Sequence, residues 1–329
     1  MREITMGDAI QEGIVEEMRR DERVYTLGYA VGPHAGSITR PLASIYDEFG
    51  PERVRETGII EPLVAGSSVG AALAGLRPIA DFSTVDFMFP ALNEILGFAG
   101  MWHYEHGGAD DMRIPVVFRG AIRTYGGAGA EHSRAPIALF WHAPGLKLVI
   151  PTTPYDAKGL IKTAIRDDNP VIFLEPARLY QVKGPVPEEE YLISFGQANI
   201  RREGKDVTIV AVGYMVTFSL QAAGDLEKEG IATEVIDPRT LEPLDIDTIL
   251  GSAKKTGRLV IVDEDHIRCG VGAEIAFQVQ EQLFKSLKAP VKRVGNLNRP
   301  HPVNQVLIND VMPTKEKIIA AVKETLAAV

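Results

Sequence analysis

The chain has 329 residues, 45% hydrophobic and 24% charged, an ordinary composition for a folded protein and, at roughly 150 residues per domain, room for two domains. Its net charge of −9 lacks the basic excess that nucleic-acid binding through counterion release requires. The start, MREITMGDAIQEG, has no apolar signal core and no run of about 18 apolar residues occurs, so the expectation is a cytoplasmic protein that binds neither nucleic acid nor membrane.

In chain order, Met6, Ala9, Ile10, Ile14 and Met18 recur at helical spacing after Thr5, a capping residue. Residues 24–28 read as a short buried strand ending at glycine. Further strands are expected at 77–82, 115–118, 146–150 and 171–174, with helices at 63–76 and 155–167. This alternation predicts a mostly parallel sheet covered on both faces. The string VKGPVPEEEYLISFG (182–196) mixes proline, glycine and an acidic run, and reads as a surface connector. Beyond it a strand (206–213), helix (218–229), strand (232–236), helix (245–255) and strand (258–262) form a doubly wound α/β pattern. The fold class is therefore α/β, with a first domain at 1–185, a linker at 186–203 and a second domain at 204–329. The lone cysteine, Cys269, reads as a small buried residue, because free cysteine packs readily inside.

No G-x-G-x-x-G follows the first strand, and there is no Walker loop, HExxH or GxSxG. Gly126-Gly127-Ala128-Gly129 is either a flexible loop, a tight turn or a ligand cradle. Glu61, in RETGIIEPLVAGSSVGAALAGL, precedes a small-residue segment that reads as a closely packed helix. A carboxylate there is either a helix N-terminal acid favoured by the dipole or a functional group with a partner. His132, in GAGAEHSRAP, is a loop histidine open to exposed, structural or catalytic readings.

The ordered strings RETGIIEP, VGAALAGLRPIADF, FRG, EHS and APGLKLVIPTTPYDAKGLIKTAIRDDNPVIFLE, then GKDVTIVAVGYMV, EGIATEVIDPRTLEPLDIDTI and CGVGAEIA, resemble the transketolase-like beta subunits of 2-oxo acid dehydrogenases. That family includes the pyruvate, branched-chain 2-oxo acid and acetoin enzymes. The likeness covers residues 1–290. It implies a thiamine-diphosphate-binding pyrimidine domain followed by a transketolase C-terminal domain. It also implies oxidative decarboxylation of a small 2-oxo acid with acyl transfer to lipoyl, in an α2β2 assembly that works with a lipoyl acyltransferase core. Alpha chains of the family hold the diphosphate and Mg²⁺ through a GDG motif, which is absent here. The chain therefore reads as half of a shared active site.

The resemblance assigns roles to few residues. Glu61 matches the glutamate that bonds N1′ of the cofactor's aminopyrimidine and favours the tautomer able to take the thiazolium proton. Phe87 falls where an aromatic ring stacks on the pyrimidine, an ordinary core phenylalanine being the alternative. His132, followed by Ser133, matches a histidine that faces substrate. Val116, Ala164, Ile165, Asp167 and Asn169 match the ligands of a structural K⁺ loop, a metal-free turn being the alternative.

Three stretches depart from the family. Leu27-Gly28-Tyr29-Ala30-Val31 lacks the acidic pair that relatives carry after the strand's glycine. Gly97-Phe98-Ala99-Gly100-Met101 replaces an Asn-Glu-Ala-Ala-Lys-like string, and RPHPVNQVLIND replaces a proline-rich segment. Two alternatives follow: an acetoin-type dehydrogenase subunit that cleaves an acyloin or diketone, and a non-catalytic assembly or regulatory subunit. A split transketolase fits less well, since GIIEP stands where GIAEQ is expected.

Overall fold

The structure, a computed structural model, describes residues 1–29, 31 and 43–328. Its elements begin β1 (Arg2–Thr5), α1 (Met6–Arg20), β2 (Val24–Gly28), α2 (Ala43–Arg53), β3 (Val54–Glu56), α3 (Glu61–Leu73) and β4 (Arg77–Thr84). A 3-10 turn (Val85–Ala91) and a π-helical stretch (Asn93–Ala99) lead to α4 (Trp102–Glu105), β5 (Val117–Ile122), α5 (Ile137–His142), β6 (Lys147–Val149), α6 (Pro154–Arg166), β7 (Val171–Pro176) and β8 (Lys183–Val186). Then follow β9 (Asn199–Arg202), β10 (Val207–Ala211), α7 (Met215–Lys228), β11 (Thr233–Asp237), β12 (Thr240–Glu242), α8 (Ile246–Thr256), β13 (Leu259–His266), α9 (Val271–Leu283), β14 (Lys292–Asn296), α10 (Gln305–Val311) and α11 (Lys315–Ala327). Among the described residues no helix is long and apolar enough to cross a membrane.

The chain divides into two compact units. The first comprises Met1–Arg123 and Leu139–Phe195, the second Thr124–Ala138 and the chain from Gly196 onward. In the first unit, strands pair in the order β6-β7-β5-β4-β2-β3, all parallel. β2, β5 and β7 are buried at every position, which is how parallel strands covered on both faces read. β5 starts two residues after Pro115, whose missing N–H cannot join a ladder.

α1 forms as its periodicity predicts. Thr5 caps it by accepting the Asp8 N–H at 3.1 Å, and Met6, Ala9, Ile10, Ile14 and Met18 are buried. The helix packs closely on α6, where a Cβ added at Gly13 would stand 2.6 Å from Ile161 Cγ2. Two buried lysines of α6 pair with acids of α1: Lys158 Nζ with Glu12 and Glu16, both at 2.7 Å, and Lys162 Nζ with Glu16 at 2.6 Å. Their stems are covered while each ammonium keeps partners, the condition for burying a charge. β1 pairs antiparallel with β8, Arg2 opposite Val186, so the start of the expected connector is a strand.

In the second unit, strands pair in the order β14-β13-β10-β11-β9, parallel except for the antiparallel edge strand β9. Its core joins Val207, Ile209 and Ala211 to Val260, Val262, Met215, Leu226 and Val322. The sequence reading runs the first region unbroken from 1 to 185, whereas the structure gives Thr124–Ala138 to this second unit. The reason is tertiary. Tyr125 enters the second core, edge-on to Tyr214 and Phe218 with ring centroids 5.4 and 5.6 Å away, and its hydroxyl donates to Pro313 O at 2.9 Å.

β13 extends past Val262 through three consecutive acids, each of which accepts a backbone N–H from a different segment. Asp263 accepts from Gly272 at 3.0 Å, Glu264 from Tyr214 at 2.9 Å and Asp265 from Ala138 at 2.7 Å. Cys269 is exposed rather than buried. It lies in the tight turn between β13 and α9 with φ of 55°, a region where side chains rarely settle and the chain is too sharply bent to cover it.

Candidate functional site

Because the strands of the first unit are parallel, the carboxyl ends of β2, β3 and β4 lie on one edge of the sheet, where open α/β sheets bind ligands. The residues that follow those ends are Tyr29, Glu61 and Phe87. Glu61 is the first residue of α3, half-buried, with Pro62 behind it fixing the first turn. No side chain caps this helix at Ile60, so the orphan N–H groups of the first turn set a positive potential around the Glu61 carboxylate.

Phe87 sits half-buried in the 3-10 turn after β4. Its placement starts in β4, whose register to β5 shifts between Asp81 and Thr84. Ser83 there takes φ of 61°, a strained value for a residue with a side chain. Asp81 stabilises the bend, one oxygen accepting the Ser83 N–H at 2.7 Å and the other accepting from Arg119 Nη1 at 3.2 Å. Arg119 is buried and forks onto Glu175 at 2.7 and 2.9 Å, and the Tyr180 hydroxyl donates to the same carboxylate at 2.6 Å. The sequence shows the FRG string but not this network, since its members come from three strands and the turn after β7.

Tyr29 opens the part of the 27–31 stretch that the sequence reading marks as a departure from the family. Its ring meets Phe87 edge to face, centroids 5.9 Å apart at 61°, and its hydroxyl donates to Phe82 O. Its neighbour in that departure, Ala30, lies outside the described residues.

His132 belongs to the second unit, half-buried in the 124–138 segment, with its N–H donating to Gly129 O at 3.3 Å. The glycine cluster before it makes tight turns: Gly127 and Gly129 have φ of 66° and 79°. A Cβ at Gly127 would press to 3.1 Å from Val303 O, so the RPHPVNQVLIND departure packs on this loop. Ser133 is fully buried and its hydroxyl has no hydrogen-bond partner.

The residues matched to a K⁺ loop come together in the first unit, and oxygens of four of them already accept hydrogen bonds. Arg77 donates to Ile165 O at 3.0 Å and Asp167 O at 3.1 Å, Val171 N–H to Val116 O at 2.9 Å, and Arg113 to Asn169 Oδ1 at 3.2 Å. Each such oxygen retains a second lone pair. Ala164 lies one turn back in α6, buried. In the 97–101 departure, Gly100 touches Gly145 so closely that any side chain at Gly145 would strike Gly100 O, and Gly145 has φ of 84°.

Residues 2–183 match the family described as "Transketolase, pyrimidine binding domain", and residues 196–318 match "Transketolase, C-terminal domain". The chain is 44% identical to "Pyruvate dehydrogenase E1 component subunit beta" of Rickettsia felis, over 98% of each chain. It is 41% identical to "2-oxoisovalerate dehydrogenase subunit beta" of Bacillus subtilis, over 96% of this chain and 97% of that one. It is 42% identical to "Acetoin:2,6-dichlorophenolindophenol oxidoreductase subunit beta" of Cupriavidus necator, over 99% and 98%. A solved structure titled "Split gene transketolase, inactive beta4 tetramer" superposes with a TM-score of 0.79 at 25% identity, covering 99% of both chains. The chain belongs to the transketolase-like beta subunits of the thiamine-diphosphate-dependent 2-oxo acid and acetoin dehydrogenases.

Proposed function

We propose that this chain is the cytoplasmic beta component of a heteromeric 2-oxo acid dehydrogenase that carries out oxidative decarboxylation with acyl transfer to lipoyl. It works with a separate alpha subunit in an α2β2 assembly and with a lipoyl acyltransferase core. The observation that carries this reading is Glu61 as the first residue of α3, at the same sheet edge that presents Phe87.

When bound, thiamine diphosphate supplies a thiazolium carbon that adds to a 2-oxo acid and acts as an electron sink. This chain's residues fit its pyrimidine end: a half-buried carboxyl group at a helix start and a braced aromatic face. Glu61 holds a proton at the pyrimidine N1′ position. Phe87 offers its ring face to the pyrimidine and excludes water beside it. His132 orients the substrate and gives or takes a proton there. The chain lacks a GDG string, so Mg²⁺ and the diphosphate fall to the alpha subunit. The second lone pairs of Val116, Ala164, Ile165, Asp167 and Asn169 oxygens serve a structural K⁺, a hard cation that prefers such donors. Exchange of K⁺ for choline lowers the melting temperature on this account; an unchanged melt at equal ionic strength removes the ion.

A second reading is an acetoin-type subunit that cleaves a carbon–carbon bond without releasing carbon dioxide, favoured by the 42% identity to the Cupriavidus necator acetoin enzyme. The test is co-expression with an alpha subunit, addition of thiamine diphosphate and Mg²⁺, and a screen of 2-oxo acids and acyloins with an artificial electron acceptor. The pair turns over 2-oxo acids and the isolated chain does not. Turnover by the isolated chain overturns the shared site, acyloin-only turnover selects the second reading, and an inactive pair makes the chain an assembly or regulatory subunit. Glu61→Gln abolishes turnover while leaving assembly intact; an unaffected rate removes Glu61 from its role.

A further inference from the structure

Residues 124–136, which include His132, form neither helix nor strand, so their position depends on the points where the segment is tied down. Its two ends are tied to β13, within the second unit, by consecutive acids. The Thr124 hydroxyl donates to Glu264 Oε2, and the Ala138 N–H donates to Asp265 Oδ2 at 2.7 Å. Between these ties the backbone turns at Gly127 and Gly129, with φ of 66° and 79°, and the His132 N–H donates to Gly129 O at 3.3 Å. Glycine leaves the backbone of such a turn without side-chain restraint, so the ties at the ends carry more of the positioning.

Each acid is itself fixed by its second oxygen. Glu264 Oε1 accepts the Tyr214 N–H at 2.9 Å, at the start of α7, and Asp265 Oδ1 accepts the His266 N–H at 2.7 Å. Both side chains are buried, where hydrogen bonds to a carboxylate are stronger than in water. Burial also pushes both carboxyl groups up, Glu264 to about 7, against the hydrogen bonds that favour the charged form. Acids held at such a cost concentrate at functional sites.

We propose that Glu264 and Asp265 are positioning residues for His132, setting the segment that carries it from both ends. The inference rests on the reading of His132 as the group that orients substrate. The two acids act through the backbone of the segment, so they alter turnover of the 2-oxo acid and leave the binding of thiamine diphosphate at Glu61 and Phe87 untouched.

Thr124→Val removes the donor to Glu264 and keeps the shape, Thr124→Ser keeps the donor, and Asp265→Ala releases the other end. In the isolated chain, hydrogen–deuterium exchange over 126–134 rises about fivefold in Thr124→Val and Asp265→Ala and stays within about twofold of the parent in Thr124→Ser. In the enzyme assembled with its alpha subunit, thiamine diphosphate and Mg²⁺, pyruvate and 2-oxoisovalerate are the probes. Thr124→Val lowers kcat/KM about tenfold at an unchanged half-saturating thiamine diphosphate concentration, and Thr124→Ser recovers it. A general loss of packing would instead raise the cofactor requirement along with the loss of rate, and that result overturns the proposal. Unchanged exchange in both releasing variants overturns it as well. So does faster exchange with unchanged kcat/KM while His132→Ala is inactive. A fully active His132→Ala overturns the role of His132 and its positioning together; the exchange measurement needs no activity and separates that failure from the absence of the two ties.

Discussion

Tyr29 and Phe87 meet edge to face, ring centroids 5.9 Å apart, at the carboxyl ends of neighbouring parallel strands. An edge-on aromatic pair is worth about 1 kcal/mol beyond its buried area, roughly fivefold in an equilibrium. Tyr29→Ala therefore raises the thiamine diphosphate concentration needed for half-maximal activity by about fivefold in the assembled enzyme. Tyr29→Phe keeps the ring contact and stays within about twofold. Equal effects of the two substitutions would show that the hydroxyl bond to Phe82 O, and not the ring, sets the position of Phe87.

The Asp81–Arg119–Glu175 network is fully buried, so loss of one member strands a charge. Arg119→Met leaves two carboxylates without their shared cation and costs about 3–5 kcal/mol of stability, read as a lower urea midpoint at constant slope. A loss below about 1 kcal/mol would mean the network is not desolvated as the structure has it.

Two glycines give opposite signs under the same substitution. A methyl at Gly13 would stand 2.6 Å from Ile161 Cγ2 at the contact of α1 with α6, so Gly13→Ala destabilises by about 1–3 kcal/mol. Gly70, in α3, has nothing within 4 Å of such a methyl, so Gly70→Ala stabilises the isolated chain by about 1 kcal/mol through helix propensity. Chemical denaturation of both variants checks the pair, and a shared sign would contradict the helix packing described.

Glu264 carries a pH signature. Burial pushes its carboxyl group up from 4.5 to about 7, against the Thr124 and Tyr214 hydrogen bonds that favour the charged form. The unfolded chain gives up this proton near 4.5 and the folded chain only near 7. The folded state is therefore favoured by Glu264 at full strength below 4.5, and that contribution fades as pH rises through 7. Asp263 and Asp265, also raised by burial, add in the same direction, while His301, depressed to about 4, opposes them between 4 and 6.5. Glu264→Gln removes the charge while its amide oxygen accepts the Tyr214 N–H and its amide nitrogen donates to the Thr124 hydroxyl, reversing that bond. Its stability relative to the parent chain climbs between pH 4.5 and 7 by about 3 kcal/mol, and a flat difference across that range would remove Glu264 as the titrating group.

The sequence by itself determined the α/β class, the order of most core elements and the family. Helical and strand periodicities are local, and the strings around Glu61, His132 and 145–175 are long. It expected the small-residue helix at 63–76 with Glu61 ahead of it, either as a helix N-terminal acid or as a functional group, and α3 runs from Glu61 to Leu73. Elements beyond 262 escaped it: the expected strand stops there, although β13 continues through three acids in a row, each of which accepts a backbone N–H.

Tertiary structure alone decided what depends on distant partners. It moved 124–138 into the second unit, because Tyr125 finds its core there and Asp265 holds Ala138. It set Tyr29 edge-on to Phe87, and it buried Lys158 and Lys162 inside the contact of α1 with α6. Each of these rests on contacts between residues far apart in the chain, where burial makes a charge or ring depend on neighbours that no sequence window contains.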